Sequence, residues 1–190
     1  MKCALCGNKE CTSGKDCTDI REEVLGAYTG EMLSITRGAS ELEATGYMKN
    51  TRIEEVIEFA RAMGYKRLGI AFCIGLSAEA ETIHEILVQH FEVFSVCCKV
   101  CGIPKKTLQL EALRGNREAA MCNPIGQAMT LNKEQTDLNL IVGLCMGHDI
   151  AFTANSEAPV STLVVKDRVL AHNPLGAIYS GYYKRRLIKE

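Results

Sequence analysis

The sequence has no apolar stretch that approaches the roughly 20 residues needed to cross a bilayer as a helix. Its first residues, MKCALCGNKE, contain neither the apolar core nor the cleavage site of a secretory signal peptide. We therefore expect a cytoplasmic protein without a membrane partner. In a reducing cytosol, clustered cysteines bind metals or react more often than they form structural disulfides.

Basic stripes with interleaved aromatic residues are also missing, and the basic tail YYKRRLIKE is short. Proteins that bind nucleic acids need such a positive surface to neutralise phosphates. The chain also lacks cofactor fingerprints such as G-x-G-x-x-G and the phosphate-binding loop. The sequence therefore predicts no nucleic-acid partner and indicates no nucleotide cofactor.

Cysteine, in contrast, is abundant, with ten in 190 residues. Four of them lie close together at the N-terminus: Cys3, Cys6, Cys11 and Cys17. Their first half, CALCG, is typical of zinc ribbons and rubredoxin-type sites. The second half departs from a zinc ribbon, and four thiolates this close can also wrap an iron–sulfur cluster. We expect one metal centre here, with an iron–sulfur cluster slightly favoured over zinc; the alternative is a zinc staple that does no chemistry.

From Thr51 onward, apolar runs alternate with helical patterns. Thr51 and Glu54 have the spacing of a capping box, at the start of a helix that ends at Gly64. The runs RLGIAFC, VFSVCC, NLIVGLC and STLVVKD predict strands. Helices are predicted between them at 77–91, near 124–134 and near 147–154. The fold class is therefore α/β, a three-layer domain with a mostly parallel sheet of about four or five strands.

No repeat, low-complexity segment or proline-rich linker divides the chain. We predict a Cys-rich metal-binding segment over residues 1–19 and a single α/β domain over residues 20–190. Within that domain, residues 20–64 form a helical lead-in and residues 65–183 form the sheet core. Residues 20–48 contain a predicted helix but no readable motif.

The other six cysteines lie where predicted strands end or helices begin: Cys73, Cys97, Cys98, Cys101, Cys122 and Cys145. In open parallel sheets, ligands bind at the carboxyl ends of the strands. We therefore predict that all of these except Cys97 gather at one edge and bind a cofactor, which can be a second metal or a cluster. Neighbouring strand residues point to opposite faces, so only one of Cys97 and Cys98 should face the crevice, and we favour Cys98.

Five residues are the candidates for chemistry in this crevice: Cys98, Cys122, Cys145, His148 and Asp149. Cys122 precedes a helix that starts with proline, and Cys145 precedes another helix, where the N-terminal dipole stabilises a thiolate. His148 suits a shared metal, proton transfer or the support of a thiolate, and it also suits a helix start. Asp149 equally suits a helix cap.

Charged residues end the fourth predicted strand at the same edge: Lys166, Asp167 and Arg168. A cation there can hold an anionic ligand, although a plain surface turn explains these residues as well. His172 can supply another ligand or start a helix, whereas His84 and His90 fit the edge of the core or a solvated helix surface.

Five sequence blocks carry a family resemblance: GIAFCIGL, SVCCKVCGI, CNPIGQA, TDLNLIVGLCMGHD and APVSTLVVKDRVLAHNPLGAIY. They resemble the cysteine-rich prokaryotic family catalogued as domain of unknown function 1847, some of whose members are labelled metal-binding. The resemblance covers essentially the whole chain, including CALCGNKEC. It implies metal binding and supplies no established reaction.

Two classes of function stay open at this stage. The first is an enzyme or redox carrier, in which the N-terminal site supplies electrons or structure and the crevice thiolates do redox or sulfur chemistry. The second is a zinc-binding, metal-handling or sensing protein without turnover, with a structural site made of four cysteines. We favour an iron–sulfur metal-binding protein with a thiolate-rich crevice. Its expected partner is a small molecule or a metal ion, and a homodimer is allowed.

Overall fold

A computed structural model describes residues 1–188. The chain divides into two compact units, Met1–Met48 and Lys49–Glu190. The first contains two short 3-10 helices, Cys3–Leu5 and Glu10–Ser13, and then helices α1 (Arg21–Ala27) and α2 (Gly30–Gly46). The predicted division into residues 1–19 and 20–190 stays a prediction. None of the described helices combines the length and apolarity needed to span a membrane.

The second unit alternates helices and strands. In chain order these are α3 (Arg52–Ala62), β1 (Arg67–Phe72), α4 (Ser77–Leu87), β2 (Glu92–Cys97), α5 (Pro124–Lys133), β3 (Leu138–Val142), α6 (His148–Asn155), β4 (Val160–Val164), α7 (Leu175–Tyr179) and α8 (Gly181–Leu187). Short 3-10 helices lie at Ile74–Leu76, Val100–Gly102, Lys105–Leu108 and Leu113–Gly115. The capping box at Thr51 is confirmed, because Thr51 Oγ1 accepts from Glu54 N and Glu54 Oε2 accepts from Thr51 N.

The described strands form one parallel sheet in the order β2-β1-β3-β4, which confirms the predicted α/β fold. Successive strand residues face opposite sides, so each strand supplies two cores. On one side, Leu68 and Ile70 of β1 pack with residues of α3 and α4. On the other side, Ala71 of β1 and Ile141 of β3 pack with residues of α5 and α6. Helices therefore cover both faces of the sheet.

All four described strands end one to three residues before the runs that predict them end. β1 ends at Phe72, one residue before Cys73, and β3 ends at Val142, three residues before Cys145. Gly143 turns the chain out of β3 with a φ of 65°, and a side chain there would collide with Leu76. Positive φ favours glycine, so the strand stops at this residue. The prediction that Cys145 closes a strand is therefore wrong, because Cys145 lies in the loop before α6.

The packing around position 69 in β1 leaves room only for glycine. Gly69 lies opposite Asn139 in β3, and Asn139 is fully buried. Asn139 Oδ1 accepts from Thr136 Oγ1 at 2.8 Å, and Asn139 Nδ2 donates to Ser156 Oγ at 2.8 Å. A Cβ on Gly69 would collide with Asn139 Oδ1, which these hydrogen bonds hold in place.

We therefore expect Gly69→Ala to lower the free energy of unfolding by about 3 kcal/mol, as overpacking in a dense core does. The matched control is Gly176→Ala in α7, where the added Cβ would meet Leu170 at an ordinary distance of 3.6 Å. That control should change stability by less than about 1 kcal/mol. Urea unfolding measures both variants, and equal stability of the two would contradict the packing described for Gly69.

A candidate thiol site at the carboxyl edge of the sheet

The centre of the site is a pair of cysteines, Cys98 and Cys122, whose side-chain hydrogen bond shifts the pKa of both thiols. Cys98 directly follows β2 and is only 2% exposed, whereas Cys122 precedes α5 and is half-buried. The backbone joins their two segments, because Asn123 N donates to Cys98 O at 2.8 Å. The Asn123 side chain in turn caps α5 by accepting from Gly126 N at 2.9 Å. The helix start and the strand end are thus fixed against each other.

Two basic side chains, Lys99 and His148, act on Cys122. Lys99 Nζ lies 3.5 Å from Cys122 Sγ, and it is held there by a 2.8 Å hydrogen bond to Ala120 O. His148, the first residue of α6, acts on Cys122 through its charge. A thiolate at Cys122 therefore has the donating ammonium group of Lys99 beside it, and a positive donor of this kind activates cysteines.

The shared hydrogen bond makes the two thiols unequal. The hydrogen bond from Cys98, together with Lys99 and His148, lowers the pKa of Cys122 to about 5, against the opposing effect of burial. The same hydrogen bond raises the pKa of Cys98 well above its usual range, and burial and the charges of Cys122 and Cys73 add to that effect. These shifts favour the thiolate at Cys122 and the thiol at Cys98.

Cys73 lies beside this pair. It is buried at the end of β1, and its charge acts on Cys98. The next residue, Ile74, donates its N–H to Cys98 Sγ at 3.3 Å. The end of β1 thus supplies both a third thiol and a backbone donor to the pair.

Gln127 of α5 fixes the strand ends that hold these cysteines. It is fully buried, and its Nε2 donates to Phe72 O at 3.1 Å and to Val96 O at 2.7 Å. Phe72 O also accepts from Cys98 N at 2.8 Å. One amide therefore ties β1 and β2 together, one residue before Cys73 and two residues before Cys98.

Arg168 links Cys145 to the other thiols of the site. Arg168 Nη2 lies 2.9 Å from Cys145 Sγ, and this hydrogen bond raises the pKa of the guanidinium. The charge of Arg168 also acts on Cys73 and Cys122. The structure thus brings four of the predicted crevice cysteines together, with His148 close to Cys122.

Three other residues considered in the sequence analysis make different contacts from those of the four thiols. Cys101 is exposed with a φ of 69°, and within residues 1–188 it takes no part in the contacts that link the other thiols. Cys97 Sγ accepts from Lys99 N at 3.5 Å rather than facing Cys122. The Asp149 carboxylate, in the first turn of α6, accepts from Gly147 N and Ile150 N, and the N-cap residue of this helix is Gly147. The chemical roles predicted for the site residues stay predictions.

Sequence reasoning missed Lys99 and Gln127. The only signal for Lys99 is its place directly after Cys98 in SVCCKVCGI, and Gln127 looks like an ordinary helix residue in CNPIGQA. Neither pattern shows that a side chain reaches back to a neighbouring segment.

The N-terminal cysteines, Cys3, Cys6, Cys11 and Cys17, are all exposed and free. Across residues 1–188, no three side chains of His, Cys, Asp or Glu are arranged to hold a metal ion. As placed, therefore, neither the N-terminal cysteines nor the crevice thiols form a metal site. The predicted metal centre at the N-terminus and the second metal or cluster in the crevice stay predictions.

The fold and the thiol cluster define a cysteine-rich α/β protein. Residues 11–163 match the family described as a protein of unknown function, DUF1847, and the chain belongs to that family, as its sequence blocks predicted. It is 53% identical over 191 residues to the uncharacterized protein MJ0455 of Methanocaldococcus jannaschii, a match that covers 100% of this chain and 99% of the relative. No solved structure matches the chain.

The charge around Cys122 predicts its pH profile. A thiolate exists only above its pKa, so alkylation of Cys122 by iodoacetamide should persist down to about pH 5. An unperturbed thiol has a pKa of about 8.5. Lys99→Met should move the midpoint of the rate profile upward by about one pH unit, because a positive neighbour is lost.

Peptide mass spectrometry of the alkylated protein measures Cys122 separately from the other thiols. The control is Lys66→Met, since Lys66 precedes β1 at the opposite edge of the sheet and should leave the profile unchanged. A midpoint near 8.5 for Cys122 in the unaltered protein would contradict the proposed thiolate.

Proposed function

We propose that this protein is a thiol-based redox protein that exchanges electrons with small disulfides through Cys98 and Cys122. The asymmetry of the pair supports it best: Lys99 Nζ lies 3.5 Å from Cys122 Sγ, and the hydrogen bond between the two thiols lowers the pKa of Cys122 and raises that of Cys98. Dithiols that react in this way need one low-pKa sulfur to attack and a second to resolve the product. A buried cysteine that only fills space in a core needs neither a lowered pKa nor a partner thiol.

The first step is an attack by the Cys122 thiolate on one sulfur of a substrate disulfide, RS–SR. A bond forms between Cys122 Sγ and that sulfur, the S–S bond of the substrate breaks, and the other half leaves as a thiolate. Lys99, which donates to Cys122 Sγ, holds the attacking sulfur in position.

The second step uses Cys98. The hydrogen bond to Cys122 and its charge raise the pKa of Cys98, and both are lost once Cys122 carries the mixed disulfide. Cys98 then loses its proton to solvent and attacks Cys122 Sγ, the mixed S–S bond breaks, and the second half of the substrate leaves as a thiolate that takes a proton from solvent. The substrate is reduced to two thiols, and the protein dithiol is oxidised to one disulfide. Two equivalents of a small thiol reverse the reaction.

The mixed disulfide formed in the first step can be trapped. With neutral 4,4′-dithiodipyridine, the unaltered protein should end with Cys98 and Cys122 joined, while Cys98→Ser should stop at a mixed disulfide on Cys122. Cys97→Ser is the control, because it removes the adjacent thiol and should behave like the unaltered protein. Non-reducing peptide mapping measures the products. A Cys98→Ser variant that carries no adduct at Cys122 would contradict the proposal.

We further propose that Cys3, Cys6, Cys11 and Cys17 bind one metal centre, with an iron–sulfur cluster favoured over zinc. Their spacing supports this, as does their exposure, because all four are free to reach a common ion. They do not form a metal site as placed, so binding must draw the segment around the metal. Such coupling of binding to local folding is usual for short cysteine-rich segments.

The double variant Cys6→Ser Cys11→Ser should therefore lose about one centre per chain. Anaerobic purification followed by metal and acid-labile sulfide analysis measures the content, and sulfide distinguishes a cluster from zinc. The control Cys97→Ser should keep its metal, since Cys97 lies outside the N-terminal segment. Unchanged metal content in the double variant would rule out the N-terminal site.

A further inference from the structure

The positively charged side chain of Lys166 lies beside the thiol site. Lys166 lies two residues after β4, and its side chain passes Gly143 and reaches Gly75. A Cβ built on Gly75 would lie 3.5 Å from Lys166 Nζ and 4.0 Å from Cys73 Sγ. The ammonium group and the Cys73 thiol therefore border the same small space, which Gly75 leaves open.

The ammonium group of Lys166 has no hydrogen-bond or ion-pair partner within residues 1–188. The two other cations of the site each donate to a sulfur, Lys99 to Cys122 and Arg168 to Cys145. Of these three cations, Lys166 is thus the one that donates to no sulfur in the described part of the chain.

The carboxylates of Asp167 and Asp149 make hydrogen bonds to the backbone and, within residues 1–188, no ion pair with Lys166. Asp167 accepts from Val169 N and Leu170 N, both at 2.9 Å, within its own turn. Asp149 is engaged by the backbone at the start of α6. In the described part of the chain, no ion pair joins a carboxylate to Lys99, Lys166 or Arg168. The site therefore presents the Lys166 ammonium group next to its sulfurs without an ion-pair partner among the described residues.

We propose that Lys166 is the recognition residue of an anion subsite, and that the disulfide reduced at Cys122 is a small one that carries a carboxylate. This rests on the proposed function and specifies its substrate class. A cation at the rim of a crevice attracts an anion from solution and raises its local concentration. The carboxylate would bind at the ammonium group above Gly75, while the disulfide bond reaches the thiol pair.

The test compares two disulfides that differ in charge, 3,3′-dithiodipropionate and neutral bis(2-hydroxyethyl) disulfide. For each, the rate of modification of Cys122 is measured by quenching and peptide mass spectrometry. The ratio of the anionic to the neutral rate should fall about tenfold in Lys166→Gln. It should be retained in Lys166→Arg, which keeps the charge, and in the control Lys66→Gln at the opposite edge. In the unaltered protein, about 1 M salt should also lower the ratio.

The outcomes separate the two proposals. If the neutral disulfide modifies Cys122 but the ratio is the same in the unaltered protein, in Lys166→Gln and in high salt, the anion subsite is wrong and the redox proposal stands. If neither disulfide modifies Cys122, the redox proposal fails, and the anion subsite fails with it. The salt dependence is measured on the unaltered protein, so the test holds even if Lys166→Gln does not fold.

Discussion

The site depends on the interaction between Cys98 and Cys122, whose side-chain hydrogen bond shifts the pKa values of the two thiols in opposite directions. Two identical side chains are thereby made chemically different, one favouring the thiolate and the other the thiol. The difference requires that both sulfurs stay in contact, and the fold supplies this through backbone and amide contacts. Asn123 N holds the segment of Cys122 to Cys98 O, and Gln127 ties together the strands that precede Cys73 and Cys98.

Parallel α/β architecture explains why these groups meet. The carboxyl ends of β1 and β2 lie side by side, and the helices that follow the strands begin at the same edge. Thiolates in such a place need positive partners, since burial alone would raise their pKa. Lys99 and Arg168 come from the segments that leave β2 and β4, so the same topology that gathers the sulfurs gathers the cations.

Much of the scaffold could be predicted from apolar runs, because a strand covered on both faces must be continuously apolar. Those runs located the parallel strands and the edge at which Cys73 and Cys98 lie. They failed where the chain leaves a strand. Gly143 ends β3 before Cys145, and the left-handed backbone at Cys101 leaves that residue exposed; the alternation of strand residues carries no information about either.

The side chains that tune the site were harder to predict than the sulfurs. Lys99 acts on Cys122 across 23 positions of sequence, and Gln127 reaches Phe72 across 55. Local spacing contains no sign of such distant partners. Cysteines are rare and conspicuous, whereas a lysine after a strand or a glutamine in a helix has an ordinary surface or packing role in most proteins. Only the folded arrangement distinguishes them.

The most direct measurement is the titration of each sulfur by NMR, with carbon-13 at the cysteine Cβ positions and assignments from single Cys→Ser variants. The shared hydrogen bond predicts that Cys122 titrates at about pH 5, while Cys98 stays protonated. Cys98 should remain so beyond the ordinary thiol value of about 8.5. If both cysteines titrate together near that ordinary value, they do not share the hydrogen bond, and the proposed redox pair is contradicted.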